Sequence, residues 1–156
     1  MTAFSYLALG DSYTIGEQVP IAGSFPYQTI QLLRQYARAT GRQYSFGPPE
    51  IVATTGWTTD ELAYAIDHTI LQEQYDWVSL LIGVNNQYRG RAVENFETEF
   101  EALLKRAIGF STRGKEGVFV ISIPDWGVTP FAEGRDRETI AREIDAYNAV
   151  CEKISG

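Results

Sequence analysis

The sequence has little histidine and little cysteine, with one residue of each, His68 and Cys151. A single cysteine cannot form a disulfide bond within the chain. No group of histidine, cysteine and acidic residues has the spacing of metal ligands. The sequence therefore predicts neither a metal site nor another cofactor.

Positive charge is also scarce, because 13 Lys and Arg residues stand against 20 Asp and Glu residues, a formal net charge of −7. No basic run could neutralise phosphates, which argues against a nucleic-acid or anionic-membrane surface. Long apolar runs are absent, so no transmembrane span is expected. The N-terminus has no basic segment ahead of an apolar one, so no signal peptide is visible and a cytoplasmic location is expected.

The chain does contain a regular alternation of two patterns over its 156 residues, a length typical of one domain, residues 1–156. Near-continuous apolar runs predict four buried strands, at 4–9, 51–53, 77–82 and 117–123. Each run is followed by a segment with apolar residues at helical spacing, such as Leu62, Ile66 and Ile70. The segment from 14 to 23 is expected to be a loop. Such alternation predicts an α/β fold whose parallel sheet is covered on both faces by helices.

Small, hydroxyl and amide residues follow three of these strands. Ser12 follows the first, Gly56 the second and Asn85 the third. Each has an ordinary structural explanation, since serine caps helices and glycine and asparagine form turns. Because the carboxyl ends of parallel strands share one rim of a sheet, all three are expected to lie close together. A serine hydroxyl, backbone N–H groups and an asparagine amide together supply a nucleophile and an oxyanion hole.

The segments Gly10-Asp11-Ser12-Tyr13, Gly56 and Gly83-Val84-Asn85-Asn86 resemble the first three sequence blocks of the SGNH hydrolases, also called GDSL esterases and lipases. The resemblance implies a flavodoxin-like three-layer α/β/α sandwich. It also implies that Ser12 is the nucleophile and that Ser12, Gly56 and Asn85 form the oxyanion hole. The third block of the family usually ends in Asp where this chain has Asn86.

The resemblance fails at the catalytic base. The family carries Asp-x-x-His after a fifth strand, whereas the only histidine here is His68, which helical periodicity places on an exposed face. The chain ends at Gly156 after the fourth helix, so the C-terminal strand is missing from the pattern. The resulting expectation is a truncated, essentially inactive family member. Its uncovered fourth-strand edge would favour a homodimer.

Four further residues are candidates for substrate binding. Trp57 and Tyr88 follow the second and third strands, and Asp125 and Trp126 follow the fourth. With Phe131 they could line an acyl or leaving-group pocket, although loop packing explains them equally well. Asp11 is expected to order the turn rather than to act as an acid.

The favoured interpretation is a serine esterase or lipase that acts on small or medium acyl esters. Two alternatives stay open at this stage. Ser12, Thr14 and Gly16 could instead cradle a phosphate such as that of FMN, as in a flavodoxin-like binding module. The chain could also be a non-catalytic remnant that binds ester or sugar ligands.

Overall fold

The computed structural model describes residues 1–156 and contains six strands and six α-helices. The strands are β1 (Thr2–Phe4), β2 (Tyr6–Gly10), β3 (Tyr44–Phe46), β4 (Glu50–Ala53), β5 (Trp77–Leu81) and β6 (Val118–Val120). The helices are α1 (Ser12–Ile15), α2 (Phe25–Ala39), α3 (Thr59–Asp67), α4 (Val84–Tyr88), α5 (Val93–Phe110) and α6 (Arg137–Ser155).

The main sheet has four parallel strands in the order β4-β2-β5-β6. In order of appearance along the chain this is 2-1-3-4, the beginning of the flavodoxin-like strand order. The expected α/β fold with a parallel sheet is thereby confirmed. The order reverses between β2 and β5, so the carboxyl ends of these two strands flank the crevice where open α/β sheets bind ligands.

Helices cover both faces of this sheet, and the side chains of β2 alternate between them. Leu7 and Leu9 belong to the larger apolar core, which α3, α5 and α6 cover. Tyr6 and Ala8 belong to a smaller core under α2. Because β2 is buried on both faces, it reads in the sequence as an unbroken apolar run.

Strand β6 forms one edge of the sheet. Phe119 lies beside Ser79 of β5, whose hydroxyl bonds to the hydroxyl of Tyr6 (2.7 Å) on the α2 side. At β6 that face is open, and the Phe119 side chain is 54% exposed. Beyond the strand, the Asn148 side chain of α6 makes two hydrogen bonds to Ile123. It accepts one from the Ile123 N–H (2.7 Å) and donates one to the Ile123 carbonyl oxygen (2.9 Å).

Two sequence-based expectations about local structure are wrong. The apolar stripe of α3 stops before Ile70, which is 98% exposed, because the helix ends at Asp67 and His68 is its C-cap. The predicted loop from 14 to 23 contains the end of α1 and a 3-10 turn at Ile21–Gly23.

A small parallel sheet of β1 and β3 was not predicted either. Across the whole molecule, no helix combines the length and apolar character that crossing a membrane requires.

Candidate active site

Ser12 is the first residue of α1 and follows β2 after a one-residue turn. The turn is tight because Gly10 has no side chain: a Cβ there would lie 2.0 Å from Thr14 Oγ1 and 2.7 Å from the Leu81 carbonyl oxygen. The Ser12 N–H donates no hydrogen bond within the protein. Ser12 therefore presents both its hydroxyl and its amide at the carboxyl edge of the sheet.

Asp11 stabilises the turn between β2 and α1. It is fully buried, and its Oδ1 accepts a hydrogen bond from the Tyr13 N–H (3.0 Å), which caps α1. Its Oδ2 has no hydrogen-bond partner. Burial raises the pKa of this carboxyl from 3.8 to about 7, against the lowering effect of the Tyr13 N–H. The sequence-based expectation that Asp11 orders the turn agrees with this capping bond.

Gly56 lies in the loop between β4 and α3. Its φ of 88° is in the left-handed region that favours glycine. The loop closes through a bond from the Trp57 N–H to the Thr54 carbonyl (3.3 Å), while the Gly56 N–H has no partner in the protein. Gly56 therefore offers a second free backbone donor.

Asn85 lies on α4, directly after β5. Its Nδ2 donates to the Trp57 carbonyl oxygen (2.9 Å), which fixes the orientation of the amide. An amide nitrogen has two N–H bonds, so one donor is left for a ligand. The neighbouring Asn86 is fully buried and serves a different purpose: its side chain bonds to the N–H (3.1 Å) and hydroxyl (2.7 Å) of Thr59 and so holds the start of α3.

Ser12, Gly56 and Asn85 line one cleft of about 440 Å³ at the carboxyl ends of the strands. The lining residues are Ser12, Tyr13, Glu17, Gln18, Thr55, Gly56, Val84, Asn85, Tyr88, Trp126, Thr129 and Phe131. The cleft brings together the Ser12 hydroxyl, the free N–H groups of Ser12 and Gly56, and the Asn85 amide with an aromatic wall. Chemically, this set can place a nucleophile beside donors for a developing oxyanion.

The aromatic wall consists of Tyr88, Trp126 and Phe131, whose ring centroids lie 5.4–6.1 Å apart. Trp126 is fixed by a hydrogen bond from its Nε1 to Gln87 Oε1 (2.7 Å). Arg135 lies over the Tyr88 ring at 4.9 Å from its centroid. These contacts hold two of the three rings, those of Trp126 and Tyr88, in place.

Trp57 and Asp125, which were expected to line this cleft, do not line it, but each supports a residue that does. The Trp57 side chain lines a different depression, with Tyr64 and His68, although its carbonyl holds Asn85. Asp125 is outside the cleft lining and instead accepts a hydrogen bond from the Gly127 N–H (2.7 Å) in the turn that carries Trp126.

His68 lies away from the cleft, as the helical periodicity predicted. It is exposed at the end of α3, where its ring stacks on Tyr64 (centroids 3.9 Å apart) and its Nδ1 bonds to the Tyr64 carbonyl oxygen (2.8 Å). No group of three or more histidine, cysteine and acidic side chains could hold a metal ion.

Sequence reasoning missed several residues of the site. Gln18 lines the cleft with a φ of 65°, and it is the only non-glycine residue with a positive φ. Arg89 donates a hydrogen bond to the Gly56 carbonyl oxygen (2.7 Å). No periodicity marks Gln18, and Arg89 lies outside the Gly83-Val84-Asn85-Asn86 block, so no sequence signal points to either residue.

Solved structures with the same fold support this assignment of the architecture. The psychrotrophic esterase EstA from Pseudoalteromonas sp. is 18% identical, with a TM-score of 0.62 over 97% of this chain and 71% of that chain. The lipase/acylhydrolase from Enterococcus faecalis is 21% identical, with a TM-score of 0.63 over 99% and 73%.

A mutant of the acetyl-xylooligosaccharide esterase Axe2 from Geobacillus Stearmophilus is 17% identical, with a TM-score of 0.69 over 99% of this chain and 73% of that chain. At such identities the likeness concerns the fold alone. A comparison with curated proteins finds no match.

A match to a family profile is stronger evidence for family membership than these structural similarities. The profile of the GDSL-like Lipase/Acylhydrolase family matches residues 8–156, which include Ser12, Gly56 and Asn85. The chain therefore belongs to the GDSL-like lipase/acylhydrolase family.

Proposed function

We propose that the protein is a serine ester hydrolase for small or medium acyl esters, with Ser12 as its nucleophile. One observation carries the proposal: the Ser12 hydroxyl, the unpartnered N–H groups of Ser12 and Gly56, and the Asn85 amide line the same cleft. Membership of the GDSL-like family supports the same chemistry.

In the proposed reaction, Ser12 Oγ attacks the ester carbonyl carbon. The carbonyl oxygen takes up negative charge, and the two N–H groups and the Asn85 amide donate hydrogen bonds to it. The Ser12 hydroxyl proton passes to solvent, the C–O bond to the alcohol breaks, and the alcohol oxygen takes up a proton from solvent in its place. Water attacks the acyl-Ser12 ester, releases the carboxylic acid and restores the Ser12 hydroxyl.

The weak point of this site is the proton on Ser12 Oγ. A serine hydroxyl without an adjacent base is a poor nucleophile. The only histidine, His68, is outside the cleft. We therefore propose that the chain of 156 residues, taken by itself, turns over esters slowly.

We propose that Tyr88 and Trp126 contact the acyl or alcohol part of the substrate, since both line the cleft next to Ser12. Trp57 and Asp125 would then contribute indirectly. The Trp57 carbonyl orients Asn85, and Asp125 shapes the turn that carries Trp126.

Chemical rescue tests the assignment of Ser12. Imidazole supplied in solution can accept the Ser12 proton in place of a histidine, which the cleft lacks. The hydrolysis of p-nitrophenyl acetate would be followed at increasing imidazole concentration for the wild type, Ser12→Ala and His68→Ala. Ser12→Ala measures the hydrolysis that imidazole performs without the enzyme, and His68→Ala is the control for the exposed histidine.

We expect imidazole to raise the rate of the wild type and of His68→Ala above that of Ser12→Ala. Equal rates for all three proteins at every imidazole concentration would argue against Ser12 as nucleophile and for a non-catalytic ligand-binding role.

The phosphate-binding alternative has less support. Thr14 is fully buried, and the Gly16 N–H is already bonded to the Ser12 carbonyl oxygen (3.1 Å). Of the loop suggested for phosphate, Ser12 alone presents its hydroxyl to the cleft. We do not propose FMN binding.

We also propose that the open edge at β6 pairs with a second copy of the chain. The proposal rests on the edge position of this apolar strand and on the exposed Phe119 side chain. Exposed, apolar edge strands favour such pairing.

A further inference from the structure

We infer that Arg89 is a positioning residue for the oxyanion hole, because its guanidinium anchors the loop that presents the Gly56 N–H. This inference rests on the proposed function. It adds a residue that belongs to none of the three sequence blocks of the family resemblance.

The Arg89 side chain is held at two points. Nη2 donates to the Gly56 carbonyl oxygen at 2.7 Å, and Nη1 pairs with Glu61 Oε1 at 2.8 Å. Glu61 is itself fixed at the start of α3, because the same Oε1 accepts from the Thr58 hydroxyl (2.8 Å) and N–H (3.4 Å). The guanidinium therefore links Gly56 to a rigid helix N-terminus.

The loop needs such an anchor. A Cβ on Gly56 would meet nothing within 4 Å, so nothing packs on the side of this residue where a side chain would point. Its only closing hydrogen bond, from the Trp57 N–H to Thr54, is long at 3.3 Å. Two side chains donate hydrogen bonds to successive carbonyls of the loop, Arg89 to that of Gly56 and Asn85 to that of Trp57.

Both anchors come from one short stretch of chain. Asn85 lies on α4, and Arg89 is the C-cap residue of that helix. The helix thus carries one oxyanion donor, Asn85, and through Arg89 it also anchors the loop that presents a second donor, the Gly56 N–H. A displacement of about 1 Å at a catalytic group can cost on the order of 10²-fold in rate, so this anchoring bears on catalysis.

Arg89 contributes little to the stability of the fold by comparison. The Arg89 and Glu61 side chains are 43% and 40% exposed, and surface ion pairs of this kind contribute about 0–1 kcal/mol. A role in positioning therefore predicts a change in kcat without a matching loss of stability, whereas a merely structural role predicts the reverse.

The test compares Arg89→Ala with Arg91→Ala. Arg91 is a matched control, because it lies two residues further on and pairs with Asp60 (2.6 Å), the neighbour of Glu61 on α3. It does not contact Gly56. Two measurements are made on each protein: the imidazole-supported hydrolysis of p-nitrophenyl acetate, and the order of the Gly56 N–H by the ¹⁵N heteronuclear NOE.

We expect Arg89→Ala to lower kcat about 10-fold with KM nearly unchanged, less than the 10²–10³-fold cost of removing a donor outright. Its Gly56 N–H should become more mobile. Arg91→Ala should match the wild type in both measurements, and Arg89→Lys should recover part of kcat, because lysine can still donate one hydrogen bond to the carbonyl.

An ordered Gly56 N–H in Arg89→Ala would overturn the inference, as would equal losses of kcat in the two alanine variants. The failure of the proposed function looks different: the wild type would then show no hydrolysis that depends on Ser12. In that case the NMR measurement still decides whether Arg89 anchors the Gly56 loop.

Discussion

Asp11 makes the folding stability depend on pH in a direction opposite to that of most carboxylates. The side chain is fully buried, one of its oxygens has no partner, and burial raises its pKa from 3.8 to about 7. Between these two values the unfolded chain has lost the proton that the folded protein still binds. The free energy of unfolding therefore falls as the pH rises through this range.

The size of the effect follows from the pKa difference. Each pKa unit corresponds to about 1.4 kcal/mol, so a rise from 3.8 to about 7 costs the native state about 4 kcal/mol once both states are ionised. About 3 kcal/mol of this develops between about pH 5 and pH 8. Above about pH 8 both states are ionised, so almost no further loss arises from Asp11.

The variant Asp11→Asn removes the charge and keeps a carbonyl oxygen to accept from the Tyr13 N–H. The cost of burying the amide is the same at every pH, so it cancels when the stability difference at one pH is subtracted from that at another. We expect the stability of Asp11→Asn relative to the wild type to increase by about 3 kcal/mol between pH 5 and pH 8. Urea unfolding followed by tryptophan fluorescence at several pH values measures this difference.

Asp136→Asn is the matched control, because Asp136 caps α6 in the same manner but on the surface. Hydrogen bonds from the Thr139 N–H and hydroxyl lower the pKa of Asp136. Its stabilising effect is present above the unfolded pKa and is lost only in acid, so Asp136→Asn should be destabilised by the same amount throughout pH 5–8. If the difference between Asp11→Asn and the wild type were equally constant over that range, Asp11 would be ionised in the native state and the reasoning would be refuted.

Two further predictions concern the cleft and the sheet edge. Asn85→Ala should lower kcat for p-nitrophenyl acetate by about 10²–10³-fold, since it removes a donor to the oxyanion, and a change confined to KM would instead make Asn85 a binding residue. The chain should show concentration-dependent dimers by light scattering after gel filtration, and Phe119→Lys should abolish them, because a charge on an edge strand opposes pairing. Dimers that persist in Phe119→Lys would place the interface elsewhere.

The main sheet could be predicted because its central strands, β2 and β5, are buried on both faces and because all four strands form near-continuous apolar runs. The small sheet of β1 and β3 left no such run, since each strand has only three residues. What holds it is tertiary packing: the Phe4 ring stacks on Phe46 and Trp77, with centroids 5.4 and 5.0 Å apart. The spacing of apolar residues also predicted an α3 that reaches Ile70, although the helix ends at Asp67. Such spacing alone does not show where a helix ends.

The site was predictable where it depends on strand ends. Ser12, Gly56 and Asn85 each follow a recognisable apolar run, and parallel strands bring such positions to one rim. Arg89 and Gln18 could not be predicted in this way. The role inferred for Arg89 depends on where the loop carbonyl of Gly56 points, and the backbone of Gln18 adopts its φ only in the folded loop.

The central claim, that Ser12 attacks esters, is tested most directly by locating the acyl group. Without a histidine in the cleft, hydrolysis of acyl-Ser12 is also expected to be slow, so the acyl-enzyme should accumulate with an activated ester. The measurement is peptide mapping by mass spectrometry after incubation with p-nitrophenyl acetate. The account predicts one acetyl group on Ser12 and none at this peptide in Ser12→Ala; acetylation confined to lysine or tyrosine side chains, equal in both proteins, would contradict it.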